Sequence, residues 1–288
     1  MIHLQSPSLR VSILDPVEDR SRLGPRFCTG GYIYQVEHTA HGPLLSGPEF
    51  PSERPSVING QGLPEVFQFT LYDRDDEVPA KKLIIGVGLV DNSSAGSAAD
   101  LHFQSPVEKF CTWQVSQNAQ GILMKTVQSY GEWALSLSRR VNLENGLLTS
   151  STRLRNIGRR DLPFRWFAHP FFPLTKNLAC CKFPEGFRIP PNLGFRINDE
   201  RILEMQRQFP WSTGLFETAS IIDGSRFSVL HYHPKLREVL VSGDFPLSKV
   251  GIWANDRTFS CEPFHAGRLR TNEEIDWAIA YDFSGETE

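Results

Sequence analysis

Two runs of alternating side chains, Trp133 to Val141 and Gly146 to Leu154, meet at Asn145-Gly146, and that dipeptide constrains the chain more than any other. Asn and Gly both tolerate positive φ, so the pair predicts a tight turn joining two antiparallel strands. The same period of two returns near the C-terminus, where Ile275, Trp277, Ile279, Tyr281 and Phe283 alternate with Asp276, Ala278, Ala280 and Asp282. Alternation of this kind gathers apolar side chains on one face of a half-buried strand. Further strands are expected over residues 30–38, 82–90, 122–128, 227–232, 238–242 and 249–253. Long helices are not expected. With 20 prolines and 22 glycines the chain is interrupted too often, and no long window carries apolar residues at helical spacing between caps. Residues 197–209 are the one stretch that suits a short helix or turn. The pattern predicts an all-β fold, a large antiparallel β-sandwich.

At 288 residues the length permits one domain or two. The Ser/Ala/Gly-rich stretch 91–100 has β patterning on both sides, so it reads as an exposed loop and 1–288 as a single domain. A formal net charge of −3, with basic residues clustered only in pairs such as Arg139-Arg140 and Arg159-Arg160, argues against a nucleic-acid or anionic-membrane surface. Met1 to Pro7 show no basic-then-apolar leader, and no stretch has the apolar length of a membrane span; a soluble, cytoplasmic protein is expected. The five cysteines, Cys28, Cys111, Cys180, Cys181 and Cys261, are scattered without a Cys-x-x-Cys pattern. That usage suits reduced thiols, with neither a disulfide framework nor a structural zinc.

Two places carry chemistry. In Arg165-Trp166-Phe167-Ala168-His169-Pro170-Phe171-Phe172-Pro173-Leu174 one imidazole stands among aromatic and proline side chains. His169 reads either as a core histidine satisfied by its neighbours or as an acid/base group, with the aromatic faces suited to stacking on a sugar ring. In Phe259-Ser260-Cys261-Glu262-Pro263-Phe264-His265 a carboxyl lies in an aromatic strand-like segment. Shielding there would raise the pKa of Glu262 towards that of a useful general base, unless Glu262 is a structural glutamate. His265, three residues on, falls on the opposite face of a strand. His231 and His233 share a face and could hold a metal only with a third ligand, which is not evident; they read as exposed sheet histidines.

Taken together these segments resemble the galactose mutarotase-like superfamily, which includes aldose 1-epimerases and hexose-6-phosphate mutarotases. The resemblance rests on Leu154-Arg155-Asn156-Ile157-Gly158 followed by His169-Pro170-Phe171-Phe172, and on Cys261-Glu262-Pro263 followed by Gly267, Trp277 and Tyr281-Asp282-Phe283. The N-terminal third is similar to an uncharacterised bacterial branch through Arg26-Phe27, Gly30-Gly31-Tyr32-Ile33, Gly62-Leu63-Pro64-Glu65, Phe67 and residues 82–88. The resemblance implies a β-supersandwich with a sugar groove and small-molecule carbohydrate as the partner. It implies Glu262 as the base on the anomeric hydroxyl and His169 as the acid on the ring oxygen, opening the ring without metal or cofactor. The chain departs from aldose epimerases at Asn59-Gly60-Gln61-Gly62-Leu63-Pro64-Glu65, where their upstream histidine is missing. Gln61 or Glu65 is the expected substitute for its hydrogen bonds, and Arg26, Arg74 or Arg139 the candidate cation, each also readable as structural. Trp166, Phe172 and Trp253 are expected to wall the groove. A non-catalytic sugar-binding protein, or a lyase or hydrolase in which Glu65 or Asp244 faces Glu262, remain alternatives on the same scaffold.

Overall fold

The computed structural model describes residues 1–68, 70–71, 81–91, 105–210, 212–221 and 226–285. Arg74 and all but the first residue of the expected loop 91–100 lie outside them. The hairpin at Asn145-Gly146 forms as its sequence dictates: φ is 46° at Asn145 and 89° at Gly146, and the turn joins Trp133–Glu144 to Leu147–Asn156. These strands are central to a ten-stranded sheet, ordered Gln114–Gln117, Gly121–Tyr130, Trp133–Glu144, Leu147–Asn156, Glu274–Asp282, Glu238–Pro246, Arg226–Tyr232, Ala179–Lys182, Ile202–Met205 and Phe195–Ile197. A six-stranded sheet packs against it, with Leu215–Ala219, Lys249–Ala254, Thr258–Leu269, Leu162–Ala168 and Glu65–Phe67 in order, and Phe172–Pro173 also on the Thr258–Leu269 strand. Every named strand pairing is antiparallel. Two four-stranded sheets complete the described residues. One is N-terminal (Ile2–Gln5, Leu9–Ile13, Ile33–His38, Gly42–Pro43), the other comprises Thr70–Leu71, Lys81–Ile84, Gly88–Asp91 and Val107–Phe110.

The main core lies between the two large sheets. Leu135, Leu137, Val141, Trp277, Ile279 and Tyr281 enter it from the ten-stranded sheet, and Phe164, Trp166, Ala168, Phe172, Phe259 and Cys261 from the six-stranded one. Strands of the smaller sheet are apolar on both faces because that sheet is covered twice. Val66, Phe167 and Phe264 point to its other side, where they meet Leu14, Leu23, Phe27, Tyr32 and Phe171 in a second cluster. This second cluster carries the site.

Two expectations are corrected and one, the short helix or turn, is narrowed to a turn. Residues 197–209 form no helix: Asn198 Oδ1 accepts the N–H groups of Glu200 and Ile202, Arg201 adopts φ 68°, and the chain turns between the strands Phe195–Ile197 and Ile202–Met205. An Asn side chain that replaces backbone acceptors in this way makes a turn. The expected strand 82–90 is two strands, Lys81–Ile84 and Gly88–Asp91, divided by a turn. His231 and His233 are buried rather than exposed. His233 bonds the Leu44 carbonyl through Nε2 at 2.8 Å, whereas His231 packs on Phe172 and Phe259 and is pushed down to about 3 by burial. All five cysteines are free thiols, and no helix among the described residues is long and apolar enough to cross a membrane.

Candidate functional site

Period two along Thr258–Leu269 places Ser260, Glu262 and Phe264 on the face of the second cluster, and Cys261 and His265 on the core face. The neighbouring strand Lys249–Ala254 pairs with it residue by residue: Trp253 opposite Ser260, Gly251 opposite Glu262, Lys249 opposite Phe264. His169 stands just past the end of Leu162–Ala168. Its N–H donates to the Pro64 carbonyl at 2.8 Å, and the Phe171 N–H donates to Gly62 at the same distance. The segment carrying the imidazole is thereby anchored to the Gly62-Leu63-Pro64 loop.

The two candidate groups meet. His169 Nε2 lies 3.2 Å from Glu262 Oε1, and His169 Nδ1 lies 2.9 Å from Ser260 Oγ. Both side chains are buried, with relative exposures of 3% for His169 and 4% for Glu262. Rings surround the imidazole: Phe171 at 4.3 Å, Phe167 at 5.9 Å, Trp253 at 6.1 Å and Phe27 at 6.3 Å between centroids. Loss of hydration pushes the Glu262 carboxyl up to about 8, against the opposing pull of Arg26 and Lys249. The same burial, helped by the nearby Arg26 charge, holds His169 well below the ordinary histidine range. The directions of these shifts favour a protonated carboxyl beside a neutral imidazole. A self-consistent arrangement has Glu262 O–H donating to Nε2 and Nδ1–H donating to Ser260 Oγ.

Of the other residues singled out in the sequence, Arg26, Gln61 and Trp253 belong to this neighbourhood. The half-buried Arg26 donates through Nη1 to the Ile58 carbonyl at 2.7 Å, lies 4.9 Å from the Phe27 ring centre, and is lowered to about 10 by burial, with Glu262 opposing. Gln61 is buried, and its N–H donates to the Tyr32 hydroxyl at 3.2 Å. Four expectations fail. Trp166 and Phe172 are turned into the core between the sheets, on the opposite parity from Phe167 and His169, and wall no groove beside the imidazole. Glu65 also faces that core: it pairs with Arg139 and accepts bonds from Ser150 Oγ at 2.7 Å and Trp166 Nε1 at 2.6 Å. Asp244 lies exposed on the far face of the ten-stranded sheet, where Oδ1 accepts the Ala278 N–H at 2.6 Å. Arg139, wholly buried with Glu65, Ser150 and Thr152, is structural. His265 faces Trp277 and Phe164, away from Glu262, as parity requires.

The structure adds residues that the sequence reading passed over. Ser260 is two positions from Glu262 and was accessible by parity alone. Lys249, Gly251 and Phe216 depend on strand register. Lys249 Nζ sits 4.4 Å from the Phe264 ring centre and 5.4 Å from that of Phe216, and burial lowers its pKa although Glu262 acts to raise it. Gly251 makes room for Glu262: a Cβ there would meet Glu262 Oε2 at 3.1 Å and Phe216 at 2.9 Å. Phe216 pairs with Trp253 across the sheet and is 46% exposed, which makes it the accessible aromatic edge of the site. Among the described residues no three His, Cys, Asp or Glu side chains converge as metal ligands.

Fold and site thus define a two-layer antiparallel sandwich bearing a buried imidazole–carboxyl pair on the outer face of its smaller sheet. Solved structures share this architecture. A galactose mutarotase-like protein from Lactobacillus casei ATCC 334 aligns over 98% of this chain and 99% of its own, with 13% identity and a TM-score of 0.58. An aldose 1-epimerase candidate from Escherichia coli K12 aligns over 97% of both chains, with 14% identity and a TM-score of 0.61. The Slr1438 protein from Synechocystis sp. PCC 6803 aligns over 98% of this chain and 94% of its own, with 14% identity and a TM-score of 0.57. No protein-family model and no curated protein matches the sequence. The chain has the galactose mutarotase-like fold, and at these identities the likeness speaks for the fold alone.

Proposed function

We propose that the protein interconverts the anomers of a sugar by acid/base ring opening at His169 and Glu262. The observation that carries this reading is the 3.2 Å contact between the two groups on one face of the fold, where burial raises the Glu262 carboxyl and lowers the His169 imidazole. Mutarotation asks for one proton to be given to the ring oxygen and one taken from the anomeric hydroxyl, and a positioned pair supplies roughly 10²–10⁴-fold. The direction of the shifts argues for a starting protonation opposite to the one the resemblance implies. Protonated Glu262 gives its proton to the ring oxygen while neutral His169 removes the anomeric proton; reclosure returns both. Ser260 holds the Nδ1 side of the imidazole through this cycle. Phe216 and Trp253 offer the sugar its apolar contact, and Lys249 and Arg26 supply donors around Glu262. Free thiols at all five cysteines suit a cytoplasmic setting.

One observation favours a second reading, sugar binding without turnover. The pair is closed on itself, so a sugar engages both groups only if their mutual contact opens. The two-carboxyl chemistry of a glycosidase finds no support in Glu65 or Asp244, which stand in other layers of the fold. Anomer-exchange NMR over a panel of free and charged aldoses separates the readings. Acceleration by the wild type that His169→Ala and Glu262→Gln each reduce by about 10²-fold or more supports catalysis. Sugar binding without acceleration, or variants that keep the full rate, removes it.

A further inference from the structure

A cavity of about 430 Å³ opens beside the second cluster, lined by Ser21, Arg22, Tyr32, Tyr34, Arg54 and Ser56 together with Pro55, Val57 and Gly60. It neighbours the acid/base pair across packed rings: Phe27 stands 6.3 Å from His169, and Tyr32, a wall of the cavity, stands 5.7 Å from Phe27. Arg26 connects them a second way, since the Ile58 carbonyl it holds lies between the lining residues Val57 and Gly60. Among the described residues the lining contains two arginines, two phenols and two serines, and no acidic side chain. In a chain whose formal net charge is −3 that local balance is uneven. Glu53, the carboxylate nearest in sequence, precedes Arg54 and is exposed, and Glu49 is turned to the Ser56 N–H and the Asn59 amide.

The two arginines are differently engaged. Arg22 donates through Nη1 to the Tyr34 hydroxyl at 3.0 Å and to the Glu53 carbonyl at 3.5 Å, and its guanidinium lies 5.2 Å from the Tyr34 ring centre. It is thus held in place at the cavity wall. Arg54 is exposed and forms no ion pair among the described residues. A guanidinium matches a planar carboxylate with two parallel N–H donors. A phosphate monoester brings nearly two charges and three acceptor oxygens, more than one preoccupied and one unshared arginine suit.

We propose that this cavity is the carboxylate subsite of the proposed sugar site, so that the protein acts on a sugar acid whose carboxylate lies on Arg22 and Arg54 while its anomeric end reaches His169 and Glu262. The assignment rests on the anomer-exchange reading for its second half only; binding of the carboxylate is a property of the cavity itself. The hydroxyls of Tyr32, Tyr34, Ser21 and Ser56 then meet the remaining oxygens of the sugar.

Methyl glycosides test it, because they cannot open their ring and so report binding apart from turnover. Calorimetry would compare the methyl glycosides of a hexuronate, the parent hexose and the hexose 6-phosphate, in the gluco and galacto series. In at least one series the uronate is expected to bind about tenfold or more tightly than the neutral glycoside, the gain of a charge-assisted contact. That preference falls as salt rises from about 50 to 300 mM, where screening shortens. Arg54→Gln and the double variant Arg22→Gln/Arg54→Gln, checked for native melting, bring uronate affinity down to that of the neutral glycoside. Equal affinities, no binding of any glycoside, a phosphate preferred over the uronate, or a preference that survives the double variant overturns the subsite. Exchange NMR on the corresponding free sugars runs in parallel. Accelerated exchange without a uronate preference leaves the enzyme reading standing and removes the subsite; uronate preference without exchange does the reverse.

Discussion

A carboxyl held near 8 in the folded protein releases its proton there less readily than in the unfolded chain, and that difference has a sign. Between the ordinary glutamate range and about 8 the folded state holds a proton on Glu262 that the unfolded state does not, so stability falls as pH rises through this window. His169 acts in the opposite sense below 6.5, because the unfolded chain protonates an imidazole that the folded protein keeps neutral. The lowered His231 and His233 share its sense. At pH 6.5 these histidines are still partly protonated in the unfolded chain and oppose Glu262, so the difference between wild type and Glu262→Gln in denaturant unfolding at pH 6.5 and pH 8 isolates the carboxyl. At about 1.4 kcal/mol per unit of pH for one proton, the wild type should lose on the order of 2 kcal/mol relative to Glu262→Gln across that interval. The same pH dependence in wild type and variant would place the proton elsewhere. Catalysis follows the same group. With Glu262 as the acid the rate falls as pH rises through about 8, whereas with Glu262 as the base it would climb.

At the level of strands, the Glu262 strand and its partner set the position of the carboxyl through one residue without a side chain. Gly251→Ala puts a methyl 3.1 Å from Glu262 Oε2 and 2.9 Å from Phe216. Phe216 is half in solvent and can swing aside, so the fold should lose no more than about 1–3 kcal/mol from the added methyl. Glu262 is enclosed and must shift from His169, and kcat/KM is expected to fall by about tenfold or more because misplaced groups lose rate steeply. Near-wild-type kcat/KM with an ordinary melting temperature would show that this register does not position the carboxyl. The contrast between Gly251 and Asn145-Gly146 shows what sequence reveals at this scale. The hairpin was legible because its turn and alternation are local. His169 and Glu262 were legible because each stands in an unusual aromatic setting. Parity could also have placed Trp166 and Phe172 in the core, since both are out of phase with Phe167 and His169; the aromatic density of the run obscured it. Lys249, Gly251 and Phe216 reach the site through pairings with Phe264, Glu262 and Trp253, and no single strand encodes its neighbour's register.

Across the whole molecule the two large sheets are tied by a buried polar knot rather than by apolar contact alone. Glu65, from the six-stranded sheet, meets Arg139, and Ser150, like Arg139 from the ten-stranded sheet, donates to the same carboxylate. Thr152 takes another guanidinium donor and Trp166 the second carboxylate oxygen, so both charged groups are held by hydrogen bonds as well as by each other. The Arg139 charge is held above the ordinary arginine range by Glu65 despite the opposing effect of complete burial. Such a pair contributes little net stability compared with apolar side chains of the same volume, but losing one partner strands the other's charge in the core. Glu65→Gln and Arg139→Met alone should therefore each destabilise by about 3–5 kcal/mol, whereas Glu65→Leu combined with Arg139→Met should recover most of that loss. Equilibrium denaturation of the single and double variants measures the coupling. If the double variant were as unstable as the sum of the singles, the knot would be acting through its neutral bonds to Ser150, Thr152 and Trp166. If the singles were near neutral, water would be reaching the interface and the sheets would not be closed there. The expected pattern, severe singles and a mild double, follows only if Glu65 is an interior counter-ion, which is why a carboxylate next to the site in sequence takes no part in its chemistry.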